Sequence, residues 1–169
     1  MYYRIIEQLA KSVDAIETYL DKAERHAAAK KIDIGVLMRW RLAPDMGGLI
    51  YQIQSACDYL KGGAAWLSGQ TPPKHDDDET TIAEARGRIR KTVAFARSVT
   101  QPQFADAAAR RVGVSWSPSG MVIDGEGYLV EVVVPNVYFH VMAAYAILRQ
   151  AGVDVGKMDF LGPIRWIPE

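Results

Sequence analysis

The stretch VVVPNVYFHVMAAYAILRQ, Val132 to Gln150, is where the reading of the fold turns. No acidic or basic charge interrupts it before Arg149, so its length approaches the roughly 17–25 residues of a membrane span. Pro135 and Asn136 divide it. The three β-branched valines before the proline read as the end of a strand. Val137 to Leu148 read as a helix too short to cross a bilayer, with Asn136 as its N-cap. That helix is apolar nearly all round and must be covered by neighbours on most sides. His140 in its middle is therefore expected to be desolvated and to need a hydrogen-bond or metal partner.

Working upstream, Ile5, Ile6, Leu9, Val13, Ile16, Leu20 and Ala23 recur at three-and-four spacing and predict a first helix from Tyr3 to about Lys30. Lys31 to Pro44 loses this pattern and reads as a long, partly extended connection. Met46, Leu49, Ile53, Cys57, Leu60, Ala64 and Leu67 predict a second helix, starting at Pro44-Asp45 and stopping at Gly69. Gln70 to Glu79 carries Pro72-Pro73 and the acidic run Asp76 to Glu79, and reads as a solvated loop. Thr81 with Glu84 is a capping box for a third helix. Short strands at 112–116, 121–123 and 128–134, separated by turn sequences, predict a small β-hairpin before the fourth helix. The expected fold is all-α: a single-domain four-helix bundle over residues 1–169, with long connections and that hairpin.

Composition fits one soluble domain of 169 residues, with 49% hydrophobic and 24% charged residues. Twenty Lys+Arg balance twenty Asp+Glu, which leaves no net field for nucleic acid or an anionic membrane, and neither partner is expected. Met1 to Lys11 includes Arg4, Glu7 and Lys11, so it lacks the apolar core of a signal peptide. With a lone cysteine, Cys57, the expected compartment is the cytoplasm. Cys57 lies on the core stripe of the second helix, where a thiol is inert. His26 reads as a solvent-facing residue at the end of the first helix, and His75 as part of the loop before the acidic run. No zinc-protease, C-x-x-C, phosphate-loop or nucleophile-elbow pattern occurs, nor the E-x-x-H pairs of di-iron bundles.

Candidate site residues follow from helix geometry. On the second helix Gln54 and Asp58 share one flank of the core stripe, and Asp45, Gln52 and Tyr59 the other, so either set can approach His140. A carboxylate beside a buried imidazole fixes its tautomer and raises its basicity, which makes His140, Asp58 and Asp45 the catalytic candidates. Gln52, Gln54 and Tyr145 are the substrate-binding candidates, although Tyr145 lies about 140° around the helix from His140. His140 is the one histidine placed to ligate a metal.

Pro135-Asn136-Val137-Tyr138-Phe139-His140, Ala144 to Arg149, Gly152-Val153, Gly156-Lys157, Asp159 and Leu161-Gly162 resemble the C-terminal signature of a bacterial and fungal family known only as a domain of unknown function. Leu42 to Met46, Gln52, Gln54 and Cys57-Asp58 resemble its second-helix signature, and Arg88 with Thr92 its third helix, so the resemblance spans the chain. That family is similar in fold to the DinB/YfiT-like metalloenzymes. The resemblance implies a four-helix bundle, often a homodimer, some members of which bind a divalent metal through three histidines for thiol-dependent transfer or hydrolysis. Those relatives take one histidine from the second helix and two, four residues apart, from the last. Here Ala144 follows His140 at that spacing, and the second helix offers Gln54 or Asp58, a weak set for zinc or nickel.

Three functional expectations follow. The first is a small-molecule pocket between the second and fourth helices around His140, with hydrolase or transferase chemistry. The alternative is a non-enzymatic bundle for dimerisation or partner binding, with Trp40, Trp116 and Trp166 outside the main helices as contact residues. The third is a divalent-metal enzyme with an incomplete ligand set.

Overall fold

The computed structural model describes residues 1–168, and the apolar stripes read from the sequence meet in one core. Ile6, Leu9, Val13, Ile16, Leu20 and Ala23 are all buried on one face of α1 (Tyr2–Asp14) and α2 (Ile16–Lys30). The helix expected to run unbroken is interrupted at Ala15, which keeps right-handed dihedrals of φ −59° and ψ −22°, so the break is local. The connection expected to be partly extended holds a short helix, α3 (Ile34–Arg39), capped by the Asp33 carboxylate, which accepts the Gly35 N–H at 3.0 Å.

The second main helix, α4 (Leu49–Ser68), starts later than the sequence predicts. Pro44 and Asp45 lie in a turn closed by the Met46 N–H on the Ala43 carbonyl at 3.0 Å, and the Leu49 N–H bonds to Trp40 at 3.0 Å. Consecutive glycines oppose helix nucleation. Gly47 and Gly48 therefore push the start past themselves, with Gly48 as the extended N-cap. The capping box of α5 (Ile82–Ser98) forms as expected: Thr81 Oγ1 accepts the Glu84 N–H at 3.3 Å, and Glu84 Oε2 accepts those of Thr80 at 2.8 Å and Thr81 at 2.9 Å. Those bonds hold the Glu84 carboxyl down to about 2. Gly87 lies exposed inside α5, and a Cβ there would meet nothing within 4 Å. Gly87→Ala is expected to raise the unfolding free energy by about 0.5–1 kcal/mol in a urea titration, since only backbone entropy changes.

The largest departure from the sequence reading concerns residues 128–134. The hairpin is present but short: β1 (Arg111–Val112) pairs antiparallel with β2 (Ile123–Asp124), Arg111 opposite Asp124 and Val112 opposite Ile123. The third strand expected at Tyr128–Val134 is helical. Asp124, whose carboxylate accepts the Gly127 N–H at 2.8 Å, caps a continuous helix over Gly125–Gln150. It comprises one turn α6 (Gly125–Gly127), a π segment (Tyr128–Val133) and α7 (Val134–Gln150). Asn136 is consequently not an N-cap. Pro135 has no N–H for the preceding turn, and the Asn136 Nδ2 donates to the Val132 carbonyl at 2.7 Å beside it. Burial of Leu129, Val132, Val133 and Val137 overrides the strand preference of the valines.

Gly125–Gln150 is long and apolar enough to cross a membrane. Its buried face makes it the central helix of the bundle, packed chiefly on α4. Gly63 allows that approach, since a Cβ there would stand 2.6 Å from Val133 Cγ1. The helix is covered on most sides, as its composition predicts, and open along one strip, where Phe139 is 57% and Met142 48% exposed. The chain closes through α8 (Lys157–Leu161), held to α2 by Lys22 on Asp159 at 2.6 Å.

Candidate functional site

Tyr51, Ser55, Asp58, Tyr59, Gly62 and Trp66 follow one another at helical spacing along one side of α4 and line a cleft of about 470 Å³. The 70–79 loop adds Pro72 and Asp77, the hairpin arm adds Gly113 to Trp116, the π segment adds Tyr128, and α7 adds His140. This volume lies within the roughly 300–1,000 Å³ of small-molecule sites. Gly62 leaves room for the Tyr128 hydroxyl, which a Cβ at that position would approach to 3.0 Å. The π turn therefore has a consequence for the site: it brings a tyrosine expected in a strand onto the cleft wall, and burial pushes that phenol up to about 12.

His140 is 7% exposed and has the partner its burial requires. Its Nδ1 lies 2.8 Å from Gln52 Oε1, while Gln52 Nε2 donates to the Gly47 carbonyl at 2.9 Å. A carbonyl only accepts, so the amide orientation is determined, and Oε1 must be the atom facing the ring. Nδ1 therefore carries the proton and Nε2 keeps its lone pair. The ring stacks on Tyr59 (centroids 5.6 Å apart, planes at 14°) and meets the edges of Tyr51 at 6.2 Å and Phe139 at 5.1 Å. Burial lowers its pKa to about 4, so the imidazole is neutral at physiological pH.

Beside this aromatic wall sits a charged cluster organised by Arg88 of α5, which is 1% exposed. Its Nη2 donates to Asp58 Oδ1 at 2.7 Å and Asp77 Oδ1 at 2.9 Å, and its Nη1 to the Asp76 carbonyl at 3.0 Å and both Glu79 oxygens at 3.2 Å. The acidic run expected to be a solvated loop is thus partly drawn inward, because a buried guanidinium needs its donors satisfied. Burial alone would raise the Glu79 carboxyl; its bonds to Gln54, at 2.9 Å, and Arg88 hold it below the usual value. Lys61, with its side chain 10% exposed, places Nζ 2.8 Å from the same Asp58 Oδ1. Among the described residues the buried His75 Nδ1 has no partner, and its pKa is lowered to about 4 by burial and by Lys61, Lys91 and Arg88, against Asp58.

The sequence candidates separate accordingly. His140 and Gln52 are joined directly, and Asp58 shares the cleft with His140 but spends its charge on Arg88 and Lys61. Gln54 turns to Glu79, Asp45 lies exposed in the turn before α4, and Tyr145 packs at the edges of Tyr19 and Phe160. None of these three lines the cleft. Cys57 is fully buried, with its thiol pushed up to about 12. Sequence reasoning passed over Tyr51, Lys61, Trp66 and Tyr128. The repeat of Tyr51, Ser55, Asp58, Gly62 and Trp66 is a signal for the cleft face of α4; Tyr128 had none, because its segment read as strand.

The donors do not compose the three-histidine centre of the metal-binding relatives. His140 Nδ1 is a donor to an amide, the position one turn on is the buried Ala144, and the facing α4 side chain is Gln52. Among the described residues no group of three His, Cys, Asp or Glu side chains is placed to hold a metal ion. One imidazole nitrogen and an amide oxygen are a poor set for zinc or nickel.

Comparison with known proteins agrees with the architecture. A solved DinB family member protein from Shewanella denitrificans superposes with a TM-score of 0.92 at 41% sequence identity, over 97% of this chain and 93% of that one. None of the curated proteins matches. The model of the family described as "Domain of unknown function (DUF1993)" matches residues 1–161. With a DinB-like helical fold and a family match over nearly its whole length, this chain belongs to the DUF1993 family.

Proposed function

We propose that this protein binds a small organic molecule in the cleft between α4 and α7, with His140 as the polar centre of the site. The observation that supports this reading is the oriented imidazole: Gln52, itself anchored on the Gly47 carbonyl, holds Nδ1 as the donor and leaves a lone pair on Nε2 in a residue that lines the cleft. A purely structural core histidine has no need of a cleft beside it. The ring acts first as a hydrogen-bond acceptor. A conjugate acid near 4 makes it a weak general base at neutral pH, able to take a proton from an acidic O–H or N–H but poorly matched to activating water, so its role is to hold a ligand's O–H or N–H.

Long-range proton–nitrogen NMR tests the reading. At pH 7 the His140 ring is expected as the Nδ1–H tautomer, and Gln52→Leu is expected to release it to the commoner Nε2–H form. Screening small polar aromatic fragments is expected to move the Nε2 resonance. An Nε2–H tautomer in the unmodified protein, or an Nε2 signal indifferent to every fragment, would sink the proposal. The same ring gives a stability signature. Between pH 6.5 and 4 the unfolded chain binds a proton at His140 that the folded chain refuses, so stability falls as the pH is lowered through that window. The loss attributable to His140 is at most about 3 kcal/mol. Urea titrations at pH 7 and 4.5 are expected to show a smaller difference for His140→Asn than for the unmodified protein.

A further inference from the structure

Lys61 is the residue of the cleft whose chemistry is least accounted for. Its ammonium carries three N–H donors on a side chain 10% exposed, and its one carboxylate partner among the described residues is Asp58 Oδ1, 2.8 Å away. That oxygen is shared: Arg88 Nη2 takes it at 2.7 Å. Asp77, the other acid lining the cleft, also gives its Oδ1 to Arg88, at 2.9 Å. The two cleft carboxylates thus each give an oxygen to a buried guanidinium, while the Lys61 ammonium, among the described residues, has that shared Asp58 oxygen as its ion-pair partner for three donors. A partly desolvated ammonium in this state favours a negative group near it.

The neighbouring loop supports the same sign. After burial, the largest charge effects on the His75 ring come from Lys61, Lys91 and Arg88, with Asp58 opposing them, and among the described residues its buried Nδ1 has no partner. Around the charged end, the cleft is lined by Tyr59, Trp66, Trp116 and Tyr128. Aromatic side chains of this kind offer flat apolar area and edge contacts to a planar ligand. A volume of about 470 Å³ is larger than one six-membered ring needs.

Resting on the reading of the cleft as a binding site, we infer that its ligand is an aromatic carboxylate larger than a single ring, with the carboxylate on the Lys61 ammonium and the ring system among the tyrosines and tryptophans. The test uses three probes of one shape and different charge on the full chain: 2-naphthoate, 2-naphthalenemethanol and 2-naphthylmethylamine. Calorimetry measures each affinity, and the indole N–H signals of Trp66 and Trp116 report where the probe sits. The naphthoate is expected to bind at least tenfold more tightly than either other probe and to move both indole signals. Lys61→Met, which leaves Asp58 on Arg88, is expected to abolish that preference, and Lys61→Arg to retain it within about threefold, since either cation supplies the charge.

Equal affinity for the three probes, preference for the amine, or an unchanged naphthoate preference in Lys61→Met would overturn the assignment of an anionic ligand while leaving the cleft as a binding site. Failure of all three probes to move Trp66 and Trp116 would remove the binding cleft itself. The comparison of probes on the unmodified protein needs no substitution, so it decides the question of charge even where a variant folds poorly.

Discussion

Arg88→Met is expected to lower the unfolding free energy by about 3–5 kcal/mol, because it leaves carboxylates without the cation that neutralises them. Arg88 is 1% exposed and holds Asp58, Asp77, Glu79 and the Asp76 carbonyl at once. Glu79 suffers most. Its side chain is 6% exposed, and without the guanidinium it retains Gln54 at 2.9 Å and a distant Lys91 at 3.9 Å. Urea unfolding reads the loss. Adding Glu79→Gln to Arg88→Met removes the stranded charge, so the double variant is expected to be more stable than the sum of the two single losses implies. A loss below about 1 kcal/mol in Arg88→Met would show that the cluster is solvated and that the account given of it is wrong. Proteolysis offers a second readout, since the 70–79 loop is tied to α5 through the same residue and is expected to be cut faster in the variant.

Gly125→Ala is expected to be the most damaging single-methyl addition in the chain. A Cβ at Gly125 would stand 1.8 Å from the Ala107 carbonyl oxygen and 2.9 Å from its carbon, with Leu67 Cδ2 at 3.2 Å. Two of those atoms are backbone and cannot rotate away. Gly125 opens the long helix immediately after the strand that ends at Asp124, so any shift moves the start of the π segment and Tyr128 with it. Overpacking of this kind costs about 1–3 kcal/mol, and contact with backbone places this case at or above the upper end. Thermal unfolding measures it, and Gly87→Ala is the contrasting case in which the same methyl finds open space. A neutral Gly125→Ala would mean that the hairpin and the helix start are not packed as described.

These two predictions lie at places the sequence reads unequally well. The stripes of α1, α2, α4 and α5, the capping box at Thr81 and the glycine stop at Gly69 are local patterns, and each is legible because a periodic apolar face or a cap is encoded within a few residues. The need of His140 for a partner was legible for the same reason: an imidazole on a helix with no polar face cannot avoid desolvation. Its partner was not. Gln52 and Asp58 both lie on flanks of one helix, and selecting between them requires knowing how α4 and α7 are rotated against each other.

The sequence by itself determined the four helical stripes, the bundle they make, the position of the hairpin and the burial of His140. Tertiary structure decided the rest. It continued the last helix back through Pro135 to Gly125, because burying Leu129, Val132 and Val133 outweighs both the missing N–H and the strand preference of valine. It gave Tyr128 and Lys61 to the cleft, engaged Asp58 and Asp77 with Arg88, and placed Gln52, not a carboxylate, on His140. Periodicity reports which face of a helix is buried. Which polar side chain meets which depends on contacts between residues as distant in sequence as Gln52 and His140, and those are set only when the helices pack.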